Sequence, residues 1–393
     1  MNDFIFQNHT KVYFGKNQLT HLHEEVLKFG HKVLVGAGGN TVLNSTLYQN
    51  VLNELKDNGI EVFEFGKVEP NPRHTTVNRG VKICRQNGIH SIIAVGGGST
   101  IDCCKAIGAT VCSKSDNIWD LVEGKVKWDD ALPIIAIPTI ASTGSEMDKS
   151  CVISHVELSM KKGINSEAIR PRVAFLDPTN TFSVPAFQTA CGGIVIMAHL
   201  MDMNYFVDSE KYPLQFNVVE TVLKTVKENI PLAIQEPENY KARATLLWAA
   251  SWALNSFCTS GFKTLPSLHA LEQFSSSMDL THGLGLAIVM PKWMKYLLDR
   301  DETVVDDFAR FAHQVMNVKI NDDKKAMAYQ GIKNLEDYIQ NDLGLPGSLS
   351  QVGIDDSLFD EMKVKACYGK DALTLGYRPL TQEDCLEIYK MCL

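Results

Sequence analysis

Ile92-Ile-Ala-Val-Gly-Gly-Gly-Ser-Thr-Ile-Asp-Cys-Cys-Lys105 is the stretch whose reading decides the fold. Four apolar residues run into three glycines, a serine and then a helical pattern. That is how a buried parallel strand hands over to a helix whose N-terminus holds a phosphate. Gly96-Gly-Gly-Ser99 offers a tight turn and backbone N–H groups that a pyrophosphate can approach without Cβ obstruction. Ser99 reads as the N-cap, and the helix dipole favours an anion there. Asp102, in the first turn, is expected to brace the loop it follows. The spacing is neither G-x-G-x-x-G nor Walker A, so this turn alone also suits a strand–helix corner that binds nothing.

Outward from it the chain alternates. Lys32-Val-Leu-Val-Gly36 reads as a strand, Ser45 to Asn58 as a helix closing at Gly59, and Ile60 to Phe65 as a second strand. Thr75 to Asn87 reads as a helix stopped by Gly88, and Ser91 to Val95 as the strand that feeds the glycine turn. Pro133 to Pro138 and Val173 to Pro178 supply two more strands. Strands separated by helices of this length imply a parallel sheet covered on both faces. After about Val184 the periodicity is helical almost to the end, in runs such as Asn239 to Phe257 and Asp301 to Met316. At 393 residues the chain suits two domains. The reading is an α/β dinucleotide-binding domain over 1–183 and an all-helical domain over 184–393, with no internal repeat.

Two further loops support a nucleotide. Gly36-Ala-Gly-Gly-Asn40 follows the first strand, where a doubly wound sheet meets a dinucleotide. Pro138-Thr-Ile-Ala-Ser-Thr-Gly-Ser-Glu-Met147 follows another and carries small hydroxyl residues.

Composition narrows the class. A formal charge of -8 with scattered Lys and Arg argues against nucleic acid as a partner. Met1-Asn-Asp-Phe-Ile-Phe-Gln7 carries an acid early and lacks the apolar run of a signal peptide. No uncharged segment approaches the ~20 residues that span a bilayer, so no membrane is expected. The ten cysteines include no C-x-x-C pair, and a reduced cytoplasm is the expected location. Cys103 and Cys104 read as small core residues, and Trp119-Asp120 as a loop whose tryptophan anchors packing. His9, His21, His23, His31, His74, His90, His155 and His313 lie on surface-like segments and are assigned no role.

Several motifs together resemble a known family. Glu69-Pro-Asn-Pro-Arg73, Gly96-Gly-Gly-Ser-x-x-Asp-x-x-Lys105, Thr143-Gly-Ser-Glu-Met147 and Leu176-Asp-Pro178 are similar to the iron-containing (group III) alcohol dehydrogenases, in particular their butanol dehydrogenase branch. The likeness continues through His282-Gly-Leu-Gly-Leu-Ala-Ile-Val-Met-Pro291, Leu343-Gly-Leu-Pro346 and Pro379-Leu-Thr381. It implies the dehydroquinate synthase-like, iron-containing alcohol dehydrogenase fold, a small alcohol or aldehyde substrate between the two domains, and a homodimer. By the same resemblance Gly38, Gly39, Asn71, Gly96, Gly97, Gly98, Ser99, Asp102, Thr139 and Thr143 line the cofactor, NAD or NADP. Lys161, in Met160-Lys-Lys-Gly163, matches a cofactor-contacting lysine. Branch members that use NADP resemble Gly-Gly-Gly-Ser-Ile-Lys-Lys after the first strand, whereas this chain has Leu43 and Asn44 at the lysine positions. A 2′-phosphate without a cation loses its strongest hydrogen bonds, which favours NAD.

The resemblance also implies a divalent metal, iron or zinc, held by an Asp and a His at i, i+4 on one helix, a His on a second, and a His before a glycine turn. The i, i+4 spacing puts the first two on one helical face. This chain keeps His199 and His282 but has Val195 and Leu268 at the other ligand positions, and Glu272 where a further family histidine stands. Valine and leucine cannot coordinate, and two imidazoles are too few for a stable Fe²⁺ or Zn²⁺. Glu272, one turn beyond Leu268, could complete a His₂-carboxylate set, and Asp202 is another candidate. His269 is ~100° round the helix from 268 and is expected to face elsewhere. Three readings follow. One is an oxidoreductase with an altered or lost metal site, His199, His282 and Glu272 holding the substrate oxygen. Another is a catalytically silent nucleotide-binding homologue. The third is metal-independent chemistry on the same fold.

Overall fold

The computed structural model describes residues 2–158, 160–206, 212–261, 267–374 and 376–393. Their backbone forms two compact units. One comprises Gln7–Val184 with Ala250–Asn255; the other comprises Pro185–Ala249, Ser256–Leu393 and the segment ending at Phe6. The sequence reading cut the chain once, at 183/184, whereas these units exchange two short segments.

In the first unit the strands are β1 (Lys11–Phe14), β2 (Lys32–Ala37), β3 (Glu61–Phe65), β4 (Ser91–Gly96), β5 (Ile134–Pro138), β6 (Ser150–His155), β7 (Met160–Asn165) and β8 (Val173–Leu176). Six of them make one sheet in the order β1-β8-β5-β4-β2-β3, and every pairing in it is parallel. Period-two alternation splits the apolar strands between two cores. Leu34, Ile92, Ala94, Ile134 and Ala136 pack with Ile101, Cys104 and Ile107 of the helix Gly98–Cys112. Val33, Val35, Ile93, Val95, Ile135 and Ile137 pack on the other face with Leu22, Val26, Tyr48 and Val51. Burial on both faces is why these strands read as continuous apolar runs. Cys103 and Cys104 are fully buried, as the sequence suggested.

The helix ends follow local chemistry. Ser45 caps Thr46–Asp57 by accepting from the Tyr48 N–H at 3.2 Å. Gly88, at φ 61°, closes His74–Asn87 in the left-handed region. Trp119 is buried, but it sits on the short helix Ile118–Val122 rather than in a loop, because Asn117 caps that turn.

The sequence reading lacked β1 and the antiparallel β6–β7 hairpin. β1 is a short edge strand with an exposed residue at each end. It is anchored by Glu25 of the helix Leu22–Leu27, whose carboxylate accepts from Lys11 Nζ (2.6 Å), Tyr13 Oη (2.6 Å) and Lys28 Nζ (2.7 Å). Burial raises the pKa of Glu25, but these three donors outweigh it and hold the group at about 2. A depressed carboxylate pKa stabilises the fold above the unfolded value and loses that contribution as pH falls through the folded one. Glu25→Gln is therefore expected to cost ~1–2 kcal/mol at neutral pH. The gap between variant and parent in urea denaturation should close as pH drops from about 4.5 toward about 2.

The second unit is helical, with one exception to the all-helical reading: β9 (Ala372–Leu373) pairs antiparallel with β10 (Leu380–Thr381). Its helices approach closely where glycine permits. Gly193 lies under Ile230, and Gly283 under the backbone of Cys191. Among the described residues no helix is long and apolar enough to cross a membrane.

Candidate active site

The sheet order reverses between β2 and β4, because the chain runs from β2 outward to β3 and returns to place β4 on the other side. Ligands of doubly wound sheets sit at the carboxyl ends of strands at such a switch point. Here the turns after β2, β4 and β5 are joined by backbone bonds, Gly38 N–H to Val95 C=O (3.3 Å) and Thr139 N–H to Gly96 C=O (3.2 Å). Gly96 has φ 156°, and a Cβ there would lie 2.5 Å from Thr100 Oγ1. A Cβ on Gly98 would overlap the side chain of Thr143. The glycines let three turns crowd together.

One expectation changes here. The N-cap is Gly97, not Ser99, since the glycine backbone enters the helix two residues earlier. No cap side chain takes the first N–H groups of that helix. Ser99 instead accepts from the Asn71 N–H at 3.3 Å, and Asn71, at φ 52°, accepts from Lys161 Nζ at 3.0 Å. Asp102 accepts from Ser145 Oγ (2.7 Å) and the Val152 N–H (3.0 Å), which ties the helix after the glycine turn to the loop after β5 and to β6. Burial raises its pKa, against the opposing pull of Lys105. The fully buried Lys105 donates to Ser145 Oγ (2.8 Å) and the Ser150 carbonyl (2.9 Å).

Thr143-Gly-Ser-Glu-Met147 is thereby explained residue by residue. Thr143 fills the space over Gly98. Gly144, at φ 69°, lies where a Cβ would strike the Ala250 backbone. Ser145 links Lys105 to Asp102, and Glu146 accepts from Ser251 Oγ. The last contact and Gly144 seat Ala250–Asn255 in the sheet unit.

In the helical unit, the helix Ala186–Leu200 carries Val195 and His199, both buried. The ring of His199 stacks on His269, centroids 4.6 Å apart and planes 1° apart, and His269 lies 5.6 Å from His282. His269 thus faces the cluster, which overturns the expectation from helical rotation. The cause is Asp202. Its carboxylate caps the one-turn helix Ser267–Leu271 through the N–H groups of Leu268 and His269, each at 2.9 Å, and holds His269 Nδ1 at 2.9 Å. Leu268 is turned into the core. Glu272 accepts from the Ser275 N–H (2.9 Å), Ser275 Oγ (2.7 Å) and His282 Nδ1. A Cβ on Gly285 would lie 2.8 Å from the Glu272 Cδ, so the glycine turn after His282 makes room for that carboxylate.

Two imidazoles therefore have Nδ1 held by a buried carboxylate, the arrangement that orients metal-binding histidines and raises their basicity. His269 Nε2 is buried without a hydrogen-bond acceptor among the described residues. Burial, reinforced by His269 and His282, pushes the His199 pKa well below the usual histidine value, leaving a neutral imidazole. Imidazole nitrogens are donors that a borderline divalent ion such as Fe²⁺ or Zn²⁺ takes. The ligand atoms of these three histidines do not all lie within 4.8 Å of one another, and the stacked rings of His199 and His269 must part before both lone pairs can meet one ion. The sequence signal for His269 was its pairing with Asp202, three residues after His199, which only the fold connects.

Proteins similar to this chain are nicotinamide-dependent oxidoreductases. Residues 9–178 match the iron-containing alcohol dehydrogenase model and residues 189–393 the C-terminal model of the Fe-containing alcohol dehydrogenase family. The chain is 39% identical to NADH-dependent butanol dehydrogenase A of Clostridium acetobutylicum, covering 99% of each protein. It is 32% identical to the NADPH-dependent aldehyde reductase YqhD of Escherichia coli, covering 91% of each. The solved NADH-dependent butanol dehydrogenase A of Thermotoga maritima superposes with a TM-score of 0.91 at 31% identity, covering 100% of this chain and 99% of that one. The chain belongs to the iron-containing alcohol dehydrogenase family, and it is an alcohol/aldehyde oxidoreductase of that type.

Proposed function

We propose that this protein interconverts short-chain aldehydes and primary alcohols with NADH and NAD⁺, using a divalent ion, iron or zinc, held by His199, His269 and His282. The observation that carries this reading is the imidazole cluster with Asp202 and Glu272 behind it. When bound, the ion supplies Lewis-acid polarisation of the substrate oxygen. Asp202 and Glu272 serve as positioning residues that fix the ring orientation of His269 and His282. Their buried oxygens are already engaged by backbone and serine donors, so this reading places Glu272 behind the ligands and not among them.

The cofactor would lie on Gly38, Gly39, Asn71, Gly96, Gly97, Gly98, Ser99, Thr139, Thr143 and Lys161, with the unblocked helix N–H groups facing its pyrophosphate. Asp102 contributes through Ser145 and β6 rather than by contact. Leu43 supports NADH: its side chain packs over Gly66, where a Cβ would lie 2.9 Å from Leu43 Cδ2, and it offers no charge to a 2′-phosphate. Reduction consumes one hydride from the dihydronicotinamide and one proton, giving alcohol and NAD⁺. A homodimer in the cytoplasm completes the reading, and light scattering reads out the first of these.

The test is consumption of NADH and of NADPH by the Fe²⁺- or Zn²⁺-loaded protein over a panel from ethanal to hexanal, with metal content measured in parallel. A higher kcat/KM with NADH, about one ion per chain bound, and butanal turnover are the expected results. No turnover of any aldehyde by the loaded protein overturns the reading.

A further inference from the structure

We propose that His74, His155 and Glu157 form a second binding site, for a zinc-type transition-metal dication, that clips the β6–β7 hairpin to the start of the helix His74–Asn87. The site lies wholly within the sheet unit and shares no residue with the His199 cluster. His74 is the first residue of its helix, and His155 the last of β6. Backbone contacts already bring them together: Arg73 bridges Ser154, and the Ser154 N–H donates to the Pro72 carbonyl at 2.9 Å. The two imidazoles stack with centroids 3.9 Å apart and planes 12° apart, and Glu157 Oε2 is 3.1 Å from His155 Nδ1.

One ligand atom from each of the three residues lies within 4.8 Å of the others. Among the described residues no other group of three such side chains meets that criterion. Zinc–ligand bonds of about 2.0–2.2 Å require the two rings to tilt out of their stack so that their lone pairs converge with the carboxylate on one point. His74 Nδ1 is buried and makes no hydrogen bond, and His155 Nδ1 is buried with the Glu157 carboxylate 3.1 Å away. Trp119 closes one side, its ring 4.8 Å from His155 and edge-on, while the exposed Glu157 leaves the other side open to water for a fourth ligand.

The ionisation states suit a cation. Burial first, and His155 next, hold His74 below the usual imidazole range, against the pull of Glu157 and a backbone hydrogen bond at Ser154. Its own backbone N–H first, and after the opposing effect of burial His74, His155 and Arg73, hold Glu157 below the usual carboxylate range. Arg73 is the one nearby cation among the groups that act on Glu157, and it also lies 3.9 Å from Glu69. Two imidazoles and a carboxylate match the preference of zinc and its neighbours, and not of magnesium or calcium.

The experiment is Zn²⁺ titration of the enzyme already loaded with its own metal, by calorimetry and elemental analysis, with Co²⁺ as an absorbing substitute. One further equivalent per chain is expected, weakened at least about tenfold by His74→Ala, by His155→Ala and by Glu157→Gln. Glu157 is exposed, so Glu157→Gln leaves folding intact and keeps the test decisive. Amide exchange in β6 and β7 is expected to slow on Zn²⁺ addition in wild type and not in Glu157→Gln. Absence of the further equivalent, its survival in all three variants, or unchanged exchange in the hairpin overturns the proposal. Aldehyde turnover enters none of these readouts, so failure here is separable from failure of the proposed reaction.

Discussion

Replacing His269 with alanine is expected to lower kcat/KM for butanal at least about 100-fold and to strip the bound metal. His269 stands between His199 and His282, and Asp202 fixes its ring through Nδ1. The alanine variant leaves His199 and His282 as the only imidazoles of the cluster, too few to hold a divalent ion. Asp202→Asn should fall between the two. It keeps an acceptor for one backbone N–H but loses the charge that orients His269, at a cost of about 10–100-fold in metal affinity. Adding Leu268→His to His269→Ala is expected to restore nothing, since position 268 is turned into the core. Elemental analysis and steady-state kinetics on the three variants decide the matter. Full metal content and activity in His269→Ala would show that His269 is not a ligand, and rescue by Leu268→His would return the role to the position the family resemblance named.

Lys105→Met is expected to destabilise the sheet unit by ~3–5 kcal/mol, the scale for breaking a buried charge network by removing one member. Lys105 is fully buried and bonds Ser145 and the Ser150 carbonyl, and Ser145 passes the interaction to Asp102. Methionine fills the volume but leaves the Ser150 carbonyl and the Ser145 hydroxyl without their donor, and the buried Asp102 carboxylate without its nearby cation. Burial already raises the Asp102 pKa and Lys105 opposes it, so the variant should shift that carboxyl further up. Urea denaturation of Lys105→Met, Asp102→Asn and the double variant measures the coupling. A double variant much less damaged than the sum of the singles is the expected outcome; strict additivity, or a loss below about 1 kcal/mol for Lys105→Met, contradicts the network. The same network ties the glycine turn at the end of β4 to residues far along the chain. Asp102 and Ser145 lock the helix after β4 to the loop after β5 and to β6.

Much of the fold was legible because burial on both faces leaves a plain mark. β2, β4, β5 and β8 are unbroken apolar runs between glycine or proline, and no other pattern produces them at that spacing. β1 left no such mark, as only its middle two residues are partly buried at the sheet edge. The β6–β7 hairpin was missed for a different reason. Its strands pair in register from Ser150–Asn165 to His155–Met160, but the connecting residues hold no glycine, asparagine or proline to announce a turn. His74 and His155, far apart in sequence on unremarkable segments, acquire meaning only once that hairpin folds against the helix His74–Asn87.

The sequence by itself determined that this chain builds a parallel sheet with a phosphate-type turn and a helical second half, and its motifs determined the family. Those properties are written in local composition: apolar runs, glycines where no Cβ fits, and residues whose spacing matches a known pattern. Which histidines meet, and in what orientation, was decided by tertiary structure alone. Helical rotation says that 268 and 269 point in different directions, but not which of them points at His199. That choice belongs to the Asp202 carboxylate, which caps the helix Ser267–Leu271 and turns His269 inward. A side chain 67 residues away in sequence sets the orientation, and no periodicity along the chain encodes a contact of that range.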